Sequence, residues 1–575
     1  MHIIFLMKSL VRVFKNKLPQ VLIIFLLLIV QAYCDLALPS YTASIVDIGI
    51  QNADINYIID VGFLMLVMVA ISVFATIGVS YFSSRVSSGY AKDLRKVVYS
   101  KVLKFSNHEL NKISRSSLIT RSTNDINQLQ NVLMMMLMML FFAPILGIGS
   151  IIKAFEIGGD LSWIILVTFL VVLSLLAIIT IRVLPYFKLT QEIIDKMNKT
   201  AREILIGIPV IKAFVRQDYE KEKFGKINKE FLDVNLYVYR KIFILMPTMT
   251  LFLNLMIVLI LYFGAYDAIA GNILTGDIIA FIQYSTQVVF SFIMLGGVMI
   301  ILPRFLVSAR RVAEVLNMEL SITDGELTSI SDNPTIEFKN VCYSYPGSEK
   351  ETLKDINFKL IPGKTTAIIG GTGSGKSTIL NLIPRLQDVT SGEILIDNEN
   401  IKNFNLKTLR DKISFTPQNA ILFQGTVRSN MKTGKSDADD DEIKNALKLA
   451  QVDFVDDIDD EVSQGGSNFS GGQKQRLSIA RAIIGHHDFY LFDDCFSALD
   501  MNTEAVIKSN LENIAENSSV LFVSQRISTI KDADEIIVLD NGEIIDKGSH
   551  NELINRCEVY SEIASSQMED SLCLQ

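Results

Sequence analysis

GGTGSGKST, Gly370–Thr378, decides the fold of the later part of this 575-residue chain. It follows the β-forming run Thr366–Ile369 and precedes the helix-forming run Ile379–Arg385. The pattern G-x-x-x-x-G-K-[ST] between strand and helix is a phosphate-cradling loop. Gly370, Gly371, Gly373 and Gly375 let the backbone bend, so that N–H groups along the loop, through Thr372, Ser374 and Thr378, face phosphate oxygens. Lys376 brings positive charge to the β- and γ-phosphates, and Ser377 offers its hydroxyl to Mg²⁺. The helix N-terminus adds a favourable dipole.

Working outward, short β-rich runs alternate with helical runs from Thr335 onward: Thr366–Ile369, Glu393–Ile396, Tyr490–Phe492, Val520–Val523 and Glu535–Leu539. That alternation predicts an α/β domain with a largely parallel sheet. FYLFDD, Phe489–Asp494, is an apolar strand ending in two carboxylates. Beside a phosphate loop, Asp493 fits the position that organises Mg²⁺.

NFSGGQKQRLSIARA, Asn468–Ala482, is the most discriminating segment. With it the chain resembles the ATP-binding cassette family: Ser470, Gly471, Gly472 and Gln473 match the family's signature loop, and Phe469 stands where leucine is commoner. The resemblance implies that this loop, opening a helix, meets the γ-phosphate of ATP bound by an opposite subunit. Tyr345, in VCYSYPG, resembles the aromatic residue that stacks on adenine. Gln418, in SFTPQNAILFQGTV, resembles the glutamine that reaches Mg²⁺, and Ser497–Asp500 the loop that communicates between two ATP sites. ATP and Mg²⁺ are the implied ligands.

Two positions depart from the family pattern. Asp494 stands where active members carry glutamate, and Gln525, in FVSQRIST, where they carry histidine. Aspartate is one methylene shorter, which withdraws its carboxylate by roughly 1.5 Å. A well-placed general base contributes about 10²–10⁴-fold, provided it reaches the attacking water. A glutamine amide donates a hydrogen bond but carries no proton charge. Both changes fall in the half-site built on this chain's own phosphate loop, whereas Ser470–Gln473 serves the other. The expectation is a heterodimer in which this chain binds ATP at a degenerate site and its partner half-transporter hydrolyses it. A homodimer with two slow sites, and an ATP-switched regulatory or channel-gating subunit, are the alternatives.

The preceding part of the chain is different in texture. Overall composition is 49% hydrophobic and 20% charged, with a mean hydropathy of +0.34, too apolar for a soluble enzyme and too charged for membrane alone. A spanning helix needs about 20 apolar residues, and six stretches qualify: Leu18–Val46, Tyr57–Tyr81, Val132–Ile152, Leu161–Val183, Phe243–Gly264 and Ile278–Leu302. The basic flank Lys8, Arg12, Lys15 and Lys17 is followed by no clean cleavage site, so the first span is expected to be retained. Asp47–Asn56 and Ala265–Asp277 lack Lys and Arg, whereas Ser83–Asn127 and Lys188–Lys241 are rich in them. The basic segments stay in the cytosol, which places both termini inside. SLITRSTNDINQLQ (Ser117–Gln130) and REILIGIPVIKAFVRQDYE (Arg202–Glu220) resemble segments of six-helix exporters. That resemblance implies coupling helices near Phe105–Arg115 and Ile211–Asp218, the second docking on the partner.

The expected fold is therefore a membrane all-α six-helix exporter domain (1–320), a linker (321–334) and an α/β P-loop nucleotide-binding domain (335–575). Net charge is −8 and the isoelectric point near 5.4, which excludes the basic footprint of nucleic-acid binding. The acidic runs Asp437–Glu442 and Asp456–Glu461 read as solvated faces. Cys34, Cys342, Cys495, Cys557 and Cys573 have neither metal-site nor disulfide spacing. The expected setting is the cytoplasmic membrane and its lipids, the expected substrate an amphiphilic drug or lipid. Met134, Met135, Met136, Met138 and Met139 read as lipid-facing filler, with an adaptable substrate-contacting surface as the alternative; Asp35 is placed to meet a cationic substrate or to pair with Lys153; Gln31, Asn254, Gln283 and Gln287 line a cavity or bond between helices.

Overall fold

The computed structural model describes Leu10, Val13–Phe14 and residues 17–514 and 516–572. Lys8, Arg12, Lys15 and Cys573 lie outside the described residues. The chain forms two compact units: one contains the chain up to Val102 together with Ser116–Asn317, the other Leu103–Arg115 together with the chain from Met318.

In the first unit, six helical stretches are long and apolar enough to cross a membrane: Leu18–Ile50, Ile55–Val102, Arg115–Ile157, Ser162–Val183, Gln217–Ile269 and Thr275–Val298. Some outrun any bilayer. The helix Ile55–Val102 has 48 residues and Ser162–Ala213 has 52, hence about 70–80 Å each at 1.5 Å per residue, against a hydrocarbon core of about 30 Å. Their mean polarity rises toward the basic ends. Pro39 and Pro185 lie inside helices that continue past them. The turn between Ala213 and Gln217 presents Phe214 and Val215 at 73% and 80% exposure, with Val215 in a left-handed conformation (φ 54°).

Polar side chains within the spans bond mostly to backbone carbonyls of their own helix, as Thr42, Thr76, Ser285 and Thr286 do, and a few bond between helices, so that each is satisfied in a low-dielectric setting. Asp35 and Lys153 do not pair. Asp35 accepts from the Ser72 hydroxyl at 2.8 Å, and Lys153 donates to Glu156 at 2.7 Å, one turn along its own helix. Gln287 bonds between helices, accepting from Ser150 (2.8 Å) and donating to the Asp35 carbonyl (3.2 Å). Asn254 bonds within its own helix, to the Thr250 carbonyl. A π-helical turn at Met136–Leu140 lies within the methionine run, and Met134, Met135, Met138 and Met139 line a cavity of about 320 Å³ with Met294, Gln31, Asn131 and Thr76.

In the second unit the short helix Asn107–Lys112 is opened by a capping box. Ser106 is the cap, and the Glu109 carboxylate accepts from the N–H groups of Ser106 (2.6 Å) and Ser321 (2.9 Å). Glu109 is 1% exposed. Burial pushes its carboxyl up, but the bonds from Ser106 and Ser321 outweigh that and leave it below the ordinary carboxylate range.

The nucleotide-binding part contains more than the single sheet expected. Strands β1 (Ile336–Tyr343), β2 (Leu353–Leu360), β4 (Ser391–Ile396) and β5 (Glu399–Asn400) form an antiparallel sheet in the order β2-β1-β4-β5. The run Glu393–Ile396 thus belongs to this sheet, where it pairs with Phe338 and its neighbours. The main sheet takes β3 (Thr365–Ile369), β6 (Ile413–Thr416), β9 (Phe489–Asp493), β10 (Ser519–Val523), β11 (Glu535–Asp540) and β12 (Glu543–Gly548), in the order β12-β11-β3-β10-β9-β6. All its pairings are parallel except β11 with β12. Two short strands, β7 (Gly425–Thr426) and β8 (Glu461–Val462), pair antiparallel as a separate ribbon. Its strands are continuous apolar runs because both faces are covered. Ala367, Ile369, Tyr490, Phe492, Val520 and Phe522 point into one core, Ile368, Leu491, Leu521 and Val523 into another.

Candidate functional site

A parallel sheet aligns its strand ends, and here four of them deliver the predicted residues to one edge. Register pairs Val523 with both Ile368 and Asp493, and Phe492 with Thr416. The chain leaves β3 into Gly370, β9 into Asp494, β10 toward Gln525 and β6 toward Gln418. Crevices at the carboxyl ends of parallel strands are where α/β sheets bind ligands.

The phosphate loop is shaped by two close approaches. A Cβ on Gly370 would lie 1.9 Å from the Leu539 carbonyl oxygen, and Gly375, at φ 103°, caps the helix Lys376–Leu382. Only glycine meets both conditions without strain. The Lys376 ammonium donates to the carbonyls of Gly370 and Gly371, each at 2.7 Å. It is buried, and desolvation holds its pKa below the usual lysine range against the pull of Asp494 and Asp493. Ser377 donates to Asp493 at 2.9 Å. Asp493 is buried, and burial raises its pKa. The hydroxyl and carboxylate form an oxygen pair of the kind hard divalent cations take.

Asp494 sits at φ 46°, a left-handed conformation that aspartate tolerates better than most residues. Its own N–H donates to the Val523 carbonyl at 2.8 Å. The Gln418 side chain and the Gln525 N–H lie by its carboxylate and favour its charge, yet burial outweighs them and raises its pKa. The structure therefore groups Asp494, Gln418 and Gln525 beside Lys376. Tyr345, partly exposed, meets Thr378 through hydroxyls 3.1 Å apart and packs edge-on against Tyr343.

The predicted signature loop is a reciprocal helix cap. Ser470 Oγ accepts from the Gln473 N–H (3.3 Å), and Gln473 Oε1 accepts from the Ser470 N–H (2.8 Å), opening the helix Gly471–Ile483. Gly471 and Gly472 follow at its exposed start; a Cβ on Gly472 would lie 2.8 Å from the Ala498 carbonyl. Phe469 is partly buried against the core and edge-on to Phe454. Among the described residues no hydrogen bond or ion pair joins Ser470–Gln473 to Gly370–Thr378. Sequence reasoning missed Gln475, which is buried, donates to Ser497 Oγ (3.3 Å) and accepts from the Ala498 N–H (3.0 Å). It also missed Arg526, which donates to the Ser497 carbonyl at 2.8 Å. Both lie inside motifs already noted, but neither residue type signals its partner, since both contacts cross the fold.

Comparison with known proteins decides the family. Residues 21–292 match the family described as ABC transporter transmembrane region, and residues 353–497 the one described as ABC transporter. A Mycobacterium tuberculosis protein named an uncharacterized ABC transporter ATP-binding protein is 36% identical over 556 residues, covering 95% of this chain and 96% of the relative. The chain belongs to the ABC transporter family. An ATP-dependent lipid A-core flippase of Desulfotalea psychrophila is 31% identical over 515 residues, covering 86% of this chain and 88% of its own length. In fold, the chain resembles the solved structure of a bacterial Atm1-family ABC exporter with ATP bound, with a TM-score of 0.80 at 24% identity, covering 96% of this chain and 98% of that one.

This ABC transporter chain is thus a half-transporter, a multi-pass membrane domain fused to one ATPase domain. ABC ATPase domains bind ATP, normally with Mg²⁺, and transporters built from such halves dimerise. The buried lysine, the loop with no room for a Cβ at Gly370, and the Ser377–Asp493 oxygen pair fit a Mg²⁺–nucleotide.

Proposed function

We propose that this chain is one subunit of an ATP-driven exporter of amphiphilic drugs or lipids in the cytoplasmic membrane, with both termini in the cytosol. We further propose that its own nucleotide site is the slow one of an unequal pair. In this reading Gly370–Thr378 holds the phosphates of ATP, Tyr345 stacks on the adenine, and Ser377, Gln418 and Asp493 hold Mg²⁺. The metal, when bound, neutralises phosphate charge. Ser470–Gln473 serves the partner's ATP, which suits a loop exposed and capped away from its own phosphate site. Closure of the cassettes on ATP biases the membrane helices toward an outward-open state, and hydrolysis at the partner's site resets them.

The observation that carries the slow site is Asp494. Its short carboxylate is engaged by Gln418 and by the Gln525 backbone. Glutamate at that position would project about 1.5 Å further toward an attacking water. Gln525 supplies an amide that takes up no proton. Support for a dimer comes from Phe214 and Val215, two apolar side chains held in solvent at the tip of a helical arm. Support for a lipid-like substrate comes from the flippase relative and from the methionine-lined cavity, whose polar groups are all neutral.

The test is ATP hydrolysis by the purified chain alone and by Asp494→Glu/Gln525→His. Slow turnover in the native chain with a gain of about 10²-fold or more in the double variant is expected. Brisk turnover by the native chain, lost on Asp494→Asn, rejects the slow-site reading.

A further inference from the structure

The helix Glu558–Leu572 packs on the ATPase core through a stripe continued from the preceding turn: Leu553, Cys557, Tyr560 and Ala564 are all buried in one cluster. The spacing is helical, and the next position on the same face is Gln567. An amide there does not pack; it bonds. Its Nε2 donates to the Gln525 carbonyl at 2.7 Å, and its Oε1 accepts from the Ile527 N–H at 2.8 Å. One side chain thereby grips the backbone on both sides of Arg526. From the other direction the segment is tied in by Arg526 to the Ser497 carbonyl (2.8 Å) and by the Arg526 N–H to Ser524 Oγ (3.0 Å), with the Gln525 N–H close to the Asp494 carboxylate. Gln525 itself is exposed, so its side chain is placed only as well as its backbone is.

We propose that Gln567 is a positioning residue for the γ-phosphate end of the site. It fixes Gln525 from behind, so that the seating of the carboxy-terminal helix sets how well this chain distinguishes ATP from ADP. This rests on the family resemblance, in which the histidine that Gln525 replaces contacts the γ-phosphate, and on the proposal that Gln525 lies in the same place. ADP lacks that group, and its binding therefore does not depend on the clamp.

The experiment measures equilibrium binding of MgATP and MgADP to the full-length chain in lipid nanodiscs. Gln567→Met keeps the volume and removes both bonds. ATP affinity falls about tenfold, as expected for two backbone hydrogen bonds, while ADP affinity stays within twofold. Gln567→Glu adds a pH signature. At pH 8 its carboxylate faces the Gln525 carbonyl without a donor and ATP binding weakens as in the methionine variant. As pH falls, the carboxyl, pushed up by that carbonyl and down by the Ile527 N–H, regains its proton. The acid then donates to Gln525 and accepts from Ile527, and ATP preference recovers relative to the native chain at the same pH. Equal loss of ATP and ADP in both variants, with no recovery in acid, overturns the proposal. If Gln525→Ala loses ATP preference and neither Gln567 variant does, the clamp fails alone. If Gln525→Ala also changes nothing, the placement of Gln525 fails with it.

Discussion

Removing the Glu109 carboxylate tests whether the turn at Ser106–Lys112 is held to Ser321 by charge-assisted hydrogen bonds. The carboxylate accepts two backbone N–H groups, from Ser106 at 2.6 Å and Ser321 at 2.9 Å, and is 1% exposed. Hydrogen bonds to a charged group contribute about 1.5–3 kcal/mol each. Glu109→Ala orphans both donors, but Ser321 is exposed, so water recovers part of that loss. The net cost is about 2–3 kcal/mol, or a fall of roughly 5–10 °C in the unfolding midpoint of a unit this size. Glu109→Gln keeps one acceptor oxygen and turns an NH₂ toward the other donor, for about half the cost. The sign with pH follows from the depressed pKa. The stabilisation is complete above the ordinary glutamate value of about 4.3 and is lost as pH falls through the lower folded value. The gap between native chain and Glu109→Ala is therefore full at pH 7.5 and narrows below pH 4.5. The assay is thermal unfolding of detergent-purified protein followed by scanning fluorimetry across that range. A midpoint for Glu109→Ala within 1 °C of native at pH 7.5 refutes the reasoning.

Three further outcomes are expected. Gly370→Ala places a methyl 1.9 Å from the Leu539 carbonyl oxygen and abolishes ATP binding in filter-binding assays, whereas Gly371→Ala, whose Cβ meets nothing within 4 Å, weakens it far less. Ser377→Ala removes the donor to Asp493; titration of nucleotide binding against Mg²⁺ shows a requirement raised about tenfold, on the scale of one charge-assisted bond. Gln475→Leu breaks both ties from the signature helix to Ser497 and Ala498; it lowers ATPase activity of the assembled transporter while leaving ATP affinity of the isolated chain within twofold.

The phosphate loop was legible because its chemistry is local: nine consecutive residues carry the turn, the charge and the metal hydroxyl. The main sheet was legible because strands buried on both faces are continuous apolar runs. The second sheet was not, since Glu393–Ile396 reads the same in a parallel or antiparallel setting, and its pairing with Phe338 is set far along the chain. Asp494 and Gln525 stood out as departures from a pattern, but their closeness to each other and to Gln418 required coordinates. Glu109 carried a readable signal that went unused: Ser106 followed three residues later by glutamate is a capping box in the sequence itself. The facing of Met138 and Met139 was not legible, because both lie inside a π-turn at Met136–Leu140 that departs from regular helical pitch.

The arm tip at Phe214 and Val215 has a practical corollary for anyone producing this polypeptide. Made without a companion to cover them, two bulky hydrocarbon groups remain in water on every copy, 73% and 80% uncovered. Such molecules are prone to stick to one another and to attract cellular proteases. Under the proposed unequal pairing, yield and monodispersity should accordingly rise when the partner half is synthesised in the same cell.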